Sequence, residues 1–297
     1  MKVVVSEYTV VTAEKMISPR RHLNRNGEVV AGDAVWRLCE RWGEGFYWET
    51  VPKLVACPNC RRPILIMTHA FAPSPNWFAF SSNLAKIASK INVPYVLVTF
   101  TQNPPRIGYR VVGQNGFGGI VSVDGFFRFV YPRLLGNNCP ECGRRFEHTP
   151  RNSFANLKVE ILSGFYEHDS LTFEIVHREL LPEWHSSIDI DAIVFNPDGE
   201  TFAVIEVTTY TNGDIFRYKT VTISREFARR LSVPLFVLYI PFSGDGDWGV
   251  ISDASRRRFR GNLYEVAEFI SNEAKHYATK RTKPNTTNQR YNQLHSG

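Results

Sequence analysis

Apolar positions along this chain recur with two periods, and the switches between them mark out an α/β protein. Asp33–Trp42 (DAVWRLCERW) predicts a helix with Asp33 near its N-cap. Phe46–Ala56 and Pro63–Phe71 predict strands on either side of a CPNC turn, followed by a helix over Ser82–Ile91 and a buried strand over Val93–Thr101. Ile107–Val112 and Gly119–Tyr131 predict further strands. After Ser153 the pattern changes. Ser153 is placed to cap a helix reaching Tyr166, with Leu157, Ile161 and Leu162 inward, and a strand over Leu171–Leu181 follows. Ile188–Tyr210 (IDIDAIVFNPDGETFAVIEVTTY) predicts a β-hairpin around Asn196-Pro197-Asp198-Gly199. In the helix expected over Ile215–Leu231, Phe216, Ile223, Phe227 and Leu231 form one stripe. Val233–Pro241 (VPLFVLYIP) is apolar throughout, as in a central strand covered on both faces.

A shift of the chain by 140 residues lays Phe46–Phe100 on Ser186–Ile240 without a gap. Strands, turn, helix and the VP-strand coincide, although only four of 55 positions are identical. The correspondence is one of hydropathy, consistent with a degenerate copy of one core. Under it Glu49 matches Asp189 and Thr68 matches Thr208, while Val51 and Ile66 stand where the second half has Asp191 and Glu206. The expected domains are a zinc-bearing 1–150, a second α/β domain at 151–272, and a basic, disordered tail at 273–297.

Of the 297 residues 43% are apolar and 13% aromatic, enough to build a sizeable core. No apolar run approaches the ~20 residues of a membrane span, and the first residues lack the pattern of a secretory signal. A soluble, cytoplasmic protein without membrane contact is therefore expected. The net charge of +6 favours polyanionic partners. Arg20, Arg21 and Arg25 cluster, Ser255–Arg260 reads SRRRFR, and Lys275–Gly297 holds five Lys or Arg and no acid. Together these point to nucleic acid.

Four of the five cysteines form two knuckles, Cys57-Pro-Asn-Cys60 and Cys139-Pro-Glu-Cys142. Two thiolates at this spacing offer two sulfurs to one ion, and two knuckles complete a four-cysteine structural zinc site. The alternatives are disulfides or plain thiols, and 78 residues separate Cys60 from Cys139. Cys39 reads as a buried apolar residue.

Asp189, Asp191 and Glu206 are placed inside β-branched runs, where burial is costly unless their charge is offset. Strict alternation puts Asp189 and Asp191 on one face, and Glu206 and Thr208 on one face. A two-residue turn at Pro197-Asp198 sets Asp191 diagonal to Glu206, and a two-residue slide sets them directly opposite. Oxygen ligands so placed suit Mg²⁺ or Mn²⁺.

The order helix, three strands, helix, strand, with Asp191 in IDIDAIV and Glu206 in AVIEVTT, resembles the PD-(D/E)XK nuclease superfamily over about residues 151–242. The resemblance implies an αβββαβ core with a mixed central sheet flanked by helices, divalent-metal catalysis and hydrolysis of DNA. It implies that Asp191 and Glu206 hold the metal, with Asp189 auxiliary and Glu160 as a further acid on the preceding helix. The family's lysine, two residues after the glutamate, is here Thr208, and Lys219 in the next helix is the substitute cation. The expectation is a Mg²⁺-dependent DNA endonuclease with a structural zinc, with room for a homodimer. The alternative is a nuclease-like DNA-binding protein without catalysis.

Overall fold

The computed structural model describes residues 32–69, 77–102, 105–112, 117–150, 153, 180, 186–208, 219–240 and 247–282. Helix α1 covers residues 32–42. Strands β1 (Tyr47–Ala56) and β2 (Pro63–His69) flank the first knuckle, and helix α2 (Trp77–Ile91) leads to β3 (Tyr95–Gln102), β4 (Pro105–Val112) and β5 (Gly118–Ser122). A second series follows: β6 (Ser186–Phe195), β7 (Thr201–Thr208), α3 (Lys219–Leu231), β8 (Leu235–Tyr239), β9 (Trp248–Ser252), β10 (Arg258–Gly261) and α4 (Leu263–Thr282). These strands make a ten-stranded mixed sheet in the order β10-β9-β8-β7-β6-β1-β2-β3-β4-β5.

That order reads as one five-stranded unit used twice. In each unit the first two strands are antiparallel, the second and third are parallel across a helix, and the last two add as an antiparallel meander. From the crossover helix into the strand after it the 140-residue offset holds: α2 ends at Ile91 and α3 at Leu231, β3 begins at Tyr95 and β8 at Leu235. Asn92 and Ser232 both take positive φ, 55° and 67°, just past these helices. Val93 N donates to Ala88 O at 3.0 Å, as Val233 N does to Ala228 O at 3.1 Å.

The units join through β1 and β6, which are antiparallel from Tyr47↔Phe195 to Ala56↔Ser186. Under the offset Phe195 is the counterpart of Val55 and Ser187 of Tyr47, so the pairs Tyr47↔Phe195 and Val55↔Ser187 are images of each other. A pseudo-twofold axis therefore crosses the sheet beside Val51↔Ile190. Helices α2 and α3 lie together over one face, with Leu84, Ile87 and Ile91 sharing a core with Ile223, Phe227 and Leu231 above Val51, Ile66, Ile190 and Val204. On the opposite face α1 and α4 cover the second unit and a helical run covers the first.

Two expectations are corrected. The strand expected over Gly119–Tyr131 ends at Ser122, whose Oγ accepts from Gly125 N at 3.1 Å and starts a helical run of Val123–Gly125, a π turn at Phe126–Val130 and Tyr131–Leu135. Phe126, Phe127, Val130, Tyr131 and Leu134 are all buried at helical spacing, and that periodicity outweighs their β propensity. The tail expected to be disordered from 273 is helical to Thr282. Asn262 accepts from Glu265 N at 3.1 Å while Glu265 accepts from Asn262 N at 2.9 Å, a capping box. Val266, Ala267, Ile270 and Ala274 then bury one face. The helix expected over Ser153–Tyr166 and the strand over Leu171–Leu181 fall almost entirely outside the described residues, as do Arg20, Arg21 and Arg25.

Ser232 holds a left-handed conformation that costs a side-chain-bearing residue ~1 kcal/mol. Ser232→Gly is expected to raise unfolding free energy by about 0.5–1 kcal/mol in a denaturant titration.

Candidate functional site

The β6–β7 ladder runs from Phe195↔Thr201 to Ala192↔Ile205, and the turn between the strands is held by Asn196 N to Glu200 O at 2.9 Å and Gly199 N to Asn196 O at 2.9 Å. A register shift between Val194 and Phe195 produces the slid pairing, so one further step sets Asp191 level with Glu206. Beyond Ala192 the strands part. β6 stays paired with β1 through Ile190 and Ile188, whereas β7 stays paired with β8 through Glu206↔Val237 and Thr208↔Tyr239. Asp191 occupies the fork. Its Oδ2 accepts from Val207 N at 2.7 Å, meeting a backbone donor within the parted ladder. Glu206 projects toward α3, where Ser224 Oγ donates to its Oε1 at 2.5 Å. The two carboxyl groups lie near enough to perturb each other's proton affinity.

Asp189 goes elsewhere. Ile188 and Ile190 enter the same core as Ile193 and Phe195, which unbroken alternation forbids. Between Val51↔Ile190 and Glu49↔Ile193 the ladder takes three residue steps on β6 against two on β1, and this bulge resets the alternation. Asp191 is thereby turned inward, while Asp189 is 52% exposed and paired with Lys53 Nζ at 2.7 Å. Asp189 and Asp191 therefore do not project alike, contrary to the alternation argument. Lys53 comes from the other unit, beside Leu54↔Ile188, and only 16% of its side chain is exposed.

Burial raises the Asp191 carboxyl to about 6, opposed by the Val207 amide and by Glu206. Burial also lifts Glu206 well above its ordinary range, and the charge of Asp191 adds to this while Ser224 opposes it. With Glu206 buried and Asp191 half-buried, the pair thus favours a shared proton, or a cation in its place.

Thr208 ends β7, half-buried, with its carbonyl accepting from Ile240 N at 3.2 Å. Lys219 begins α3, and its side chain, like Glu160, lies outside the described residues. Sequence reasoning missed Lys53 and Ser224. Ser224 is a polar residue on the buried stripe of α3, a readable signal, whereas Lys53 meets Asp189 across 136 positions and carries none.

The four knuckle cysteines form a second cluster, with their sulfurs all within 4.8 Å of one another. Cys57 and Cys142 sulfurs are 3.6 Å apart, as are those of Cys60 and Cys139, too far for disulfide bonds. A tetrahedral ion with ~2.3 Å bonds to sulfur requires about 3.8 Å between sulfurs, so the donor set fits zinc. Both knuckles share one backbone geometry: Arg61 N to Cys57 O and Gly143 N to Cys139 O at 2.9 Å, with positive φ of 64° at Arg61 and 71° at Gly143. Glu141 of the second knuckle pairs with Arg62 at 3.3 Å and with Arg230 of α3, and Arg230 also binds Glu226 at 2.7 Å. The cysteine cluster is thus tied to the helix carrying Ser224. Among the described residues it is the one group of three or more ligand-type side chains able to converge on an ion.

The SRRRFR cluster lies at the sheet edge. Arg258 and Arg260 are exposed on β10, while Arg257 binds Glu273 at 2.7 Å and Arg256 lies 3.5 Å from Asp253. No helix of the described residues is long and apolar enough to cross a membrane. Comparison with protein-family models, curated proteins and solved structures gives no match for this chain.

Purified protein is expected to carry about one zinc per chain by atomic emission, and Cys57→Ser to lose it. Chelation removes a binding contribution on the order of 10 kcal/mol, and the melting temperature is expected to fall. A second expectation follows from the acid pair. Its folded-state pKa values are raised, so stability is present below the ordinary carboxyl range of about 4 and is lost as pH rises through about 6. Without divalent metal, stability should decline from about pH 4 through about pH 6 by on the order of 3 kcal/mol, and Asp191→Asn should reduce that slope. Added Mg²⁺ at pH 8 should raise the melting temperature of the wild type and leave the variant unchanged.

Proposed function

We propose that this chain is a divalent-metal-dependent endonuclease acting on DNA, with the fork between β6 and β7 as its active site. The observation that carries the reading is the juxtaposition of a half-buried Asp191 and a buried Glu206 at one fork, reached by a bulge in β6 and a slid β6–β7 register. A proton or a cation relieves their repulsion. Two carboxylates suffice for Mg²⁺ or Mn²⁺, which complete their shell with water and substrate phosphate. A cation bound there would polarise a phosphodiester oxygen and make hydroxide accessible near neutral pH.

The protein's own groups do the rest. The Val207 amide fixes the Asp191 carboxylate and the Ser224 hydroxyl fixes that of Glu206, so both present oxygens without further ordering. The Lys53–Asp189 pair ties the two units together beside the fork, with its ammonium held by Asp189. Thr208 stands at the family lysine position, with a hydroxyl able to hydrogen-bond water or phosphate. The cysteine cluster braces α3 through Glu141 and Arg230. Arg258 and Arg260 at the sheet edge, together with the net charge of +6, suit a polyanion.

Supercoiled plasmid incubated with the protein in Mg²⁺ or Mn²⁺ is expected to be cleaved, and Asp191→Asn to reduce the rate by roughly 100-fold or more. The zinc content and circular dichroism of the variant should match the wild type. Cleavage equal in both proteins sinks the assignment. Salt-dependent DNA binding with no cleavage in either identifies a nuclease-like binding protein instead.

A further inference from the structure

Taking the DNA-hydrolase reading as its premise, we infer that one chain cuts one strand of a duplex and leaves a nick. The strands of a duplex are antiparallel, and a two-unit protein with a twofold axis can offer one unit to each. Cutting both then needs an acid pair in each unit. Among the described residues the first unit has none. Val51 and Ile66 occupy the positions of Asp191 and Glu206 under the 140-residue offset, and both are fully buried in the core. Leu84, also fully buried, stands where the second unit has Ser224.

The backbone differs as well. The β1–β2 ladder pairs Leu54 with Ile66 and continues to Lys53↔Met67, whereas the counterpart of Leu54, Val194, pairs with Ala203. The first hairpin is thus slid by three residues relative to the second, and Val51 and Ile66 are not level. Glu49, the buried acid of the first unit, accepts from Asn83 Nδ2 at 2.7 Å.

A second copy cannot supply the missing acids through the edge that such units use here. The outer edge of β6, by which a second copy of the acid-bearing unit would join, is taken by β1 of the same chain from Ser186 to Phe195. Among the described residues the remaining sheet edges are β5 and β10, and β10 lies three strands from β7. The first unit therefore acts as a fused, acid-free partner. It holds the second DNA strand without cutting it.

The reaction is one hydrolysis. The oxygen of one water forms a bond to phosphorus and one P–O ester bond breaks. The leaving oxygen gains a proton to become a hydroxyl, and the water's remaining proton stays with the new phosphate monoester or passes to solvent. No redox change occurs.

Supercoiled plasmid treated with a molar deficit of protein in Mg²⁺ should accumulate open circles, with linear DNA appearing only late. A linear duplex labelled on either strand should release one labelled fragment at each site. Sedimentation of Asp191→Asn with a short duplex should give one chain per duplex. Linear plasmid formed without an open-circular stage, or two chains per duplex, overturns the inference and leaves the nuclease reading standing. Intact plasmid with both wild type and Asp191→Asn overturns both.

Discussion

The antiparallel ladder between β1 and β6 is the contact on which the rest of the molecule depends. It joins two five-stranded units into one sheet, and it removes an edge from each that would otherwise invite pairing with other chains. Its pseudo-twofold symmetry brings α2 and α3 to one face, where their apolar stripes pack as one core. It also carries the bulge that turns Asp191 inward and Asp189 out to Lys53. The acid pair thus lies beside the axis.

The two units diverge where their turns diverge. In the first, β1 and β2 are joined through Cys57–Arg62, whose backbone shape orients two sulfurs and closes with Cys57 N to Arg62 O at 2.8 Å. In the second, the corresponding place holds Asn196-Pro-Asp-Gly-Glu200, closed by its own hydrogen bonds and by Asn196 Oδ1, which accepts from Glu200 N at 2.8 Å. The turn sets the hairpin register, and register decides which side chains meet. One hairpin therefore builds a cysteine knuckle and a ladder that runs on to Lys53↔Met67, and the other builds a fork at Asp191 and Glu206. The knuckles reach back to the fork through Glu141, Arg230 and α3.

A buried pair of carboxyl groups works against stability at neutral pH, since burial and mutual repulsion both raise their proton affinity. Packing alone would favour apolar residues there, as Val51 and Ile66 in the first unit illustrate. That contrast within one chain separates what the fold needs from what the site adds. The same sheet, helix and core form with or without the acids.

Much of this was legible in residue order. The 140-residue offset, the strands on either side of each turn, the stripe of α3, the two knuckles and the misplaced acids all follow from contacts within a few residues along the chain, where periodicity and turn chemistry act. Near neighbours also decide the helix after Ser122, whose buried spacing was present in FFRFVYPRLL but is matched by equal β propensity. Tertiary structure decided the rest. The slid β6–β7 register, the bulge beside Ile190, the Lys53–Asp189 pair and the convergence of four sulfurs across 78 intervening residues depend on which faces of a ten-stranded sheet are covered. That burial is summed over the whole sheet, so no local window of the sequence contains it.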